Sequence, residues 1–337
     1  MKKKAFGLIW KCALAALPFV LFAALFIVFP MHFYNQEYPV WIWQKSILYG
    51  EGEDADVIFL GDSIVKSGVM PTVWGEGSYN LALAGGTPIE ARYTLKTYLA
   101  HHESPKLVII GFGQNHYIDM DGYWTRDVYF HYLPLTEHLR IIGEAARLND
   151  LPLFDEENET YGESDAFRDT CLYALYTPGK YLPALLNVLG NDGDRLARNR
   201  REYAFSEQMR GYYPIGTAES CGVAADSVKY AYFDLSPMQD ACMRDMLSMC
   251  ADAGIRVVIE RPPFNQASED AMDAAFAEQY AAYLESLAAD FPGVIVNTQI
   301  DVYPDDCFGD ECGHLNANGA ERYTKSLYER YAYLAEP

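Results

Sequence analysis

Val57-Ile58-Phe59-Leu60-Gly61-Asp62-Ser63-Ile64 is the stretch that decides the fold. Four apolar residues without polar alternation read as a strand buried on both faces, the pattern of a parallel sheet. Gly61 ends the run, and Asp62-Ser63 opens a tight turn into a helix. A serine at that place stands at the carboxyl edge of the sheet, where open α/β folds collect ligands. Serine is also a common helix N-cap. The octapeptide alone supports both readings, an exposed nucleophile and a plain cap.

The segments on either side extend the pattern. Residues 79–83 read as a second short strand, followed by Ala84-Gly85-Gly86-Thr87-Pro88 and a helix over 89–100. Residues 106–111 form a third buried strand. Strand, helix, strand, helix, strand predicts a parallel sheet with right-handed crossovers. From about 117 to 235 no strand pattern occurs, and helices are expected near 135–147, 167–175, 181–189 and 192–202. This stretch is too long for a plain loop and reads as a helical insertion over the mouth of a site. The alternation resumes with a helix over 236–253, a strand over 255–260, a helix over 267–290, a strand over 294–297 and a last helix over 316–334.

The amino terminus differs in character. Lys2-Lys3-Lys4 precede an apolar stretch over 5–30, and no charge occurs from Cys12 to Phe29. That length is about the minimum for a membrane-spanning helix. Lys11 lies near its start and can snorkel to the interface, and the lysine-rich side should stay cytoplasmic. The expected organisation is a cytoplasmic tip and signal anchor over 1–31, a linker over 32–54 and an extracytoplasmic domain over 55–337. A cleaved signal peptide fits less well, because no small-x-small cleavage site ends the run. Trp41 and Trp43, with Phe33, Tyr34 and Tyr38, are expected in an interfacial aromatic belt or at the start of the linker.

The net charge of -21 over 337 residues excludes nucleic acid as a partner, since phosphate binding needs Lys and Arg. It also argues against docking of the globular part on anionic lipid. Seven cysteines occur without a CxxC pair, so zinc-finger and thioredoxin-like readings find no support. Cys307 and Cys312 are close enough in sequence to form a bridge.

Four pieces fall where a sheet edge would gather them: Gly61-Asp62-Ser63; Gly85; Gly111-Phe112-Gly113-Gln114-Asn115; and Asp310-Glu311-Cys312-Gly313-His314-Leu315-Asn316. A serine nucleophile needs a base to take its proton and a carboxylate to orient that base. Ser63, His314 and a nearby acid supply that set. The developing oxyanion needs aimed donors, which the N–H groups of Ser63 and Gly85 and the side-chain amide of Asn115 offer. Asp62 reads as a turn-stabilising residue. His116 and Tyr117 adjoin the oxyanion candidate, Arg261-Pro262-Pro263 follows a strand and could line a pocket, and His131 and His138 read as surface residues of the insertion.

These four blocks, in this order and strand context, resemble the SGNH/GDSL hydrolase superfamily over about 55–116 and 254–330. Gly61-Asp62-Ser63, Gly85, Gly113-Gln114-Asn115 and the 311–314 segment are the matching pieces. With the amino-terminal segment and the Gly313-to-Ala320 ending, the chain looks most like the extracytoplasmic branch, which includes proteins of teichoic-acid D-alanylation and glycan O-acetylation. The resemblance implies a flavodoxin-like three-layer α/β/α sandwich and ester chemistry without a metal or cofactor. The expected anchor favours a cell-envelope glycan or polymer as substrate, with a membrane-bound acyltransferase as a candidate partner. One departure stands out. The family places an Asp three residues before its His; that position is Glu311 here, with Asp310 one further back, and either could orient His314. The expected activity is a membrane-anchored serine esterase or acyltransferase working through an acyl-enzyme on Ser63. The alternative is a non-catalytic scaffold of an acyl-transfer system, suggested by the displaced acid.

Overall fold

Strand β1 (Val57–Gly61) is buried at every position, and the sheet is built outward from it. In the computed structural model, which describes residues 2–28, 38–118, 123, 132–150, 186, 189–190 and 193–336, it pairs with two neighbours. On one side lies β2 (Ser78–Asn80), on the other β3 (Leu107–Gly111). Strands β4 (Arg256–Glu260) and β5 (Val294–Val296) complete a parallel sheet of order β2-β1-β3-β4-β5. This is a doubly wound order, and the chain reverses direction across the sheet between β1 and β3. That switch point places the turns after β1 and β3 side by side. Registers Gly61↔Gly111 and Gly111↔Glu260 end the three central strands level. The close approach demands glycine: a Cβ on Gly61 would lie 1.9 Å from the Gly111 carbonyl oxygen.

The uninterrupted apolar runs follow from burial on both faces. Ile58, Leu60, Val108, Ile110, Val257 and Ile259 enter one core with α4 (Pro88–His101), α7 (Pro237–Asp252) and α8 (Ala274–Asp290). Val57, Phe59, Leu107, Ile109 and Val258 enter the other with α3 (Ser63–Gly68) and α9 (Ala317–Tyr331). Each fully buried aliphatic or aromatic side chain contributes about 1.5–3 kcal/mol. The expected second strand is shorter than 79–83, but the chain keeps bonding to β1 beyond it, through Leu81 N–H to the Phe59 carbonyl and Leu83 N–H to the Gly61 carbonyl.

Two expectations about the amino-terminal region change. Helix α1 spans Lys2–Val28, but four of its residues are lysines, three of them in the first three positions. Among the described residues no helix is long and apolar enough to cross a membrane, so the expected transmembrane anchor is not supported. Trp41 and Trp43 do not form an exposed belt. They lie in α2 (Tyr38–Ser46) at 2% and 1% exposure, packed into the first core. The Trp43 ring faces Tyr79 edge-on, and Gln44 Nε2 donates to the Leu81 carbonyl at 2.8 Å. The segment expected as a linker thus contributes residues to the core.

Between β3 and β4 no strand occurs among the described residues. Helix α5 (Leu135–Arg147) falls where expected, and α6 (Arg195–Gln208) begins and ends later than the 192–202 reading. The helices expected over 167–175 and 181–189, and His131, lie outside the described residues except for 186 and 189. Arg92 of α4 is buried and holds Glu144 of α5 at 3.1 Å and Asp245 of α7 at 2.8 Å. His138 is not a surface residue: it is fully buried, Nδ1 meets the Tyr123 hydroxyl at 2.5 Å, and burial lowers its pKa to about 4. The expected Cys307–Cys312 bridge is absent. Cys307 is buried in the second core, whereas Cys312 lies exposed on the outer turn, so the two thiols occupy different environments.

Candidate active site

The switch point gathers the candidate residues. Asp62 caps α3, accepting the Ile64 N–H at 2.8 Å, and Ser63 follows as the first helical residue. This is a normal N-cap arrangement, and it resolves the double reading of the serine: the cap is Asp62, which leaves the Ser63 hydroxyl free for another partner. That partner is His314, whose Nε2 lies 2.8 Å from Ser63 Oγ. His314 Nδ1 lies 2.7 Å from Asp310 Oδ2. The other Asp310 oxygen accepts the backbone N–H groups of Cys312 at 3.0 Å and His314 at 3.1 Å.

These bonds decide between the two acids. Residues 310–314 form a tight turn, so the fourth residue before the histidine folds back under it. Glu311 is exposed and makes no hydrogen bond to the ring among the described residues, and Asp310 takes the orienting position. Desolvation pushes the Asp310 carboxyl up, but the His314 ring, its charge and the two N–H donors outweigh this, and the pKa is lowered. A carboxylate that stays ionised suits the stabilisation of an imidazolium.

The histidine loop is braced by the segment before α7. Gly309 N–H donates to the His314 carbonyl at 2.9 Å, and Ala218 N–H donates to the Gly309 carbonyl at 3.1 Å. Gly216 and Gly309 stack backbone on backbone: a Cβ on Gly309 would lie 2.3 Å from the Gly216 carbonyl carbon. Asn316 caps α9 through Gly319 N–H at 3.0 Å, while its amide donates to the carbonyls of Asp306 at 2.9 Å and Ala218 at 3.2 Å. The Asn316 amide therefore ties the last helix, the 305–308 turn and the insertion together beside the site.

The oxyanion candidates stand on the same edge. Gly85 has φ 68 in the turn after β2, and the Leu83-to-Gly61 bond seats that turn against the end of β1. Asn115 is half-buried in the turn after β3; its Oδ1 would lie 2.9 Å from a Cβ on Gly113, and Asp62 Oδ2 would lie 3.1 Å from it. Asp62 does more than stabilise its own turn. It is fully buried, its Oδ2 accepts the Gly113 N–H at 2.5 Å, and His116 Nε2 lies 3.4 Å from the same oxygen. The aspartate before a helix is legible as a cap from sequence, whereas its second bond depends on the β1–β3 adjacency. Arg261 is buried at the end of β4, donating to the Thr298 carbonyl at 2.9 Å, with its guanidinium 4.9 Å from the Tyr280 ring.

No known family description matches this sequence, and no curated protein matches it. Among solved structures the chain is similar to that of "a putative platelet activating factor from Streptococcus pneumonia", at 13% identity and TM-score 0.36, over 89% of this chain and 92% of that one. The chemistry therefore rests on the geometry of this chain's own residues.

Proposed function

We propose that this chain is a serine esterase or acyltransferase of the SGNH type, acting through an acyl-enzyme on Ser63. One observation carries the reading: an unbroken relay from Ser63 Oγ to His314 Nε2 at 2.8 Å and from His314 Nδ1 to Asp310 Oδ2 at 2.7 Å. In this mechanism His314 takes the Ser63 proton as the hydroxyl attacks an acyl carbonyl, then returns it to the leaving alcohol. Asp310 holds the ring in the tautomer that presents Nε2 to the serine and stabilises the imidazolium. The N–H groups of Ser63 and Gly85 and the Asn115 amide receive the oxyanion. Water or a second hydroxyl then releases the acyl group, giving hydrolysis or transfer.

The substrate in this proposal is an acyl ester of a cell-envelope glycan or polymer, with a membrane-bound acyltransferase as its working partner. This part rests on the sequence alone: the tri-lysine tip ahead of an apolar segment has the pattern of a targeting segment, which favours a substrate of the cell envelope. The scaffold alternative drew on the displaced acid. Asp310 sits within hydrogen-bond distance of Nδ1, so no specific observation favours that alternative. The test is labelling with a fluorophosphonate probe and hydrolysis of a short-chain aryl ester. Wild type labels and turns over, and Ser63→Ala does neither while melting at the same temperature. A Ser63→Ala variant that still hydrolyses the ester would show that the nucleophile is another residue.

A further inference from the structure

The turn that supplies the base and the acid also carries a thiol. Asp310, Cys312 and His314 alternate along it, and one ligand atom from each lies within 4.8 Å of the other two. In a tetrahedral zinc site the metal–ligand lengths set donor separations of about 3.3–3.7 Å. Cys312 is exposed, so a small side-chain rotation closes that gap. We propose that these three residues form an inhibitory site for a borderline-soft divalent cation, Zn2+ above all, which switches the relay off. The binding stands on the geometry of the turn; only its inhibitory consequence rests on the function proposed above.

The donor set selects the metal. A thiolate with an imidazole and one carboxylate suits Zn2+ and disfavours Mg2+ and Ca2+, which take oxygen ligands. Binding converts the Cys312 thiol to a metal-bound thiolate and releases its proton to solvent. Asp226 and Glu311 stand close enough to act on the thiol electrostatically. Lys229 pairs with Asp226 and offsets its charge, so the attraction of a cation to the turn falls to Glu311 and Asp310.

Inhibition follows from the two bonds His314 makes. Nδ1 is committed to Asp310 and Nε2 to Ser63. A metal on Nδ1 displaces the Asp310 bond, and a metal on Nε2 displaces the serine. Either way one imidazole nitrogen leaves the relay, and Asp310 loses its orienting role when its carboxylate turns to the metal.

The experiment uses the full chain as wild type, Cys312→Ser and Ser63→Ala, with Zn2+ and Co2+ as probes. Direct titration of wild type should show one equivalent of Zn2+, and Co2+ should give the near-ultraviolet band of a thiolate ligand. Cys312→Ser should keep ester hydrolysis and melting temperature, lose the cobalt band, bind Zn2+ at least about tenfold more weakly and resist Zn2+ inhibition. Mg2+ should leave wild type unaffected. Equal Zn2+ affinity in wild type and Cys312→Ser, or no cobalt–thiolate band in wild type, overturns the proposal. Ser63→Ala separates it from the function: it should bind Zn2+ as wild type does. A wild-type chain that binds Zn2+ through Cys312 yet hydrolyses no ester would retain the metal site and lose the esterase reading.

Discussion

Asp62 Oδ2 accepts the Gly113 N–H at 2.5 Å, so one buried carboxylate fastens the turn carrying Ser63 to the turn carrying Asn115. With Oδ1 on the Ile64 N–H, both oxygens are used as acceptors. Asp62→Asn keeps the shape but turns one acceptor into an NH2 group facing a backbone donor. The stability cost should be about 1–3 kcal/mol, the range for a buried donor left without its acceptor. The kcat should fall further than stability accounts for, because Asp62 sets the spacing between the Ser63 and Asn115 turns, which carry the nucleophile and an oxyanion donor in the proposed mechanism. Urea melts and steady-state kinetics on one preparation check both, and an Asp62→Asn variant with wild-type kcat would remove the positioning role.

Asp310 and Glu311 are adjacent, but only Asp310 reaches the ring. Asp310→Asn should lower kcat by about 10⁴-fold, as loss of the orienting carboxylate does in a Ser-His-Asp triad. Glu311→Gln should leave kcat within about twofold, since an exposed carboxylate contributes little at a distance in water. A reversed order of effects would reassign the acid.

How this site was and was not visible in the chain follows from the range of the signals. The strands at 57–61, 107–111 and 256–260 declare themselves through uninterrupted apolar runs, because both sheet faces are covered and every side chain points into protein. Ser63 and His314 stand out through the breaks that follow strand one and strand five, respectively. The choice between Asp310 and Glu311 is not legible, because it depends on how tightly residues 310–314 turn, and backbone bonds set that. Trp41 and Trp43 mislead because an aromatic pair after an apolar helix looks the same whether it faces a membrane interface or a core. Lys66 is hidden for a related reason: its four-carbon stem fits a helix surface equally well, and only the fold brings the Trp43 ring and the Asn80 carbonyl over its amine.

That buried amine makes stability depend on pH. Lys66 is fully buried, donates to the Asn80 carbonyl at 3.3 Å and lies 5.4 Å from the Trp43 ring. Burial lowers its pKa from 10.5 to about 7. Between these values the unfolded chain holds the proton and the folded chain does not, so stability rises as pH rises through the window. Below it both states are protonated and the full penalty applies. Lys66→Met should therefore stabilise the protein most near pH 7, on the order of a few kcal/mol, with the gain shrinking toward pH 10. Denaturant melts at pH 7 and 9 test the sign, and an equal difference at both would show that the amine stays charged in the fold.

Gly216 and Gly309 set the position of His314. A Cβ on Gly309 would meet the Gly216 carbonyl oxygen at 2.4 Å, and a Cβ on Gly216 would meet the His314 carbonyl oxygen at 2.9 Å. Neither obstacle is a flexible side chain, so Gly309→Ala must separate two backbone segments. One of these is bonded to His314 through the Gly309 N–H. Moving the imidazole by about 1 Å costs about 10²-fold in rate when the attack geometry depends on it. The expected result is a kcat reduced by about that factor with KM changed far less, because the displaced group is the one that would activate the serine. Fluorophosphonate labelling should slow in parallel, since it needs the same activated serine. If Gly309→Ala labelled at the wild-type rate, the histidine loop would hold its place without the insertion, and the bracing by residues 216–218 would be only structural.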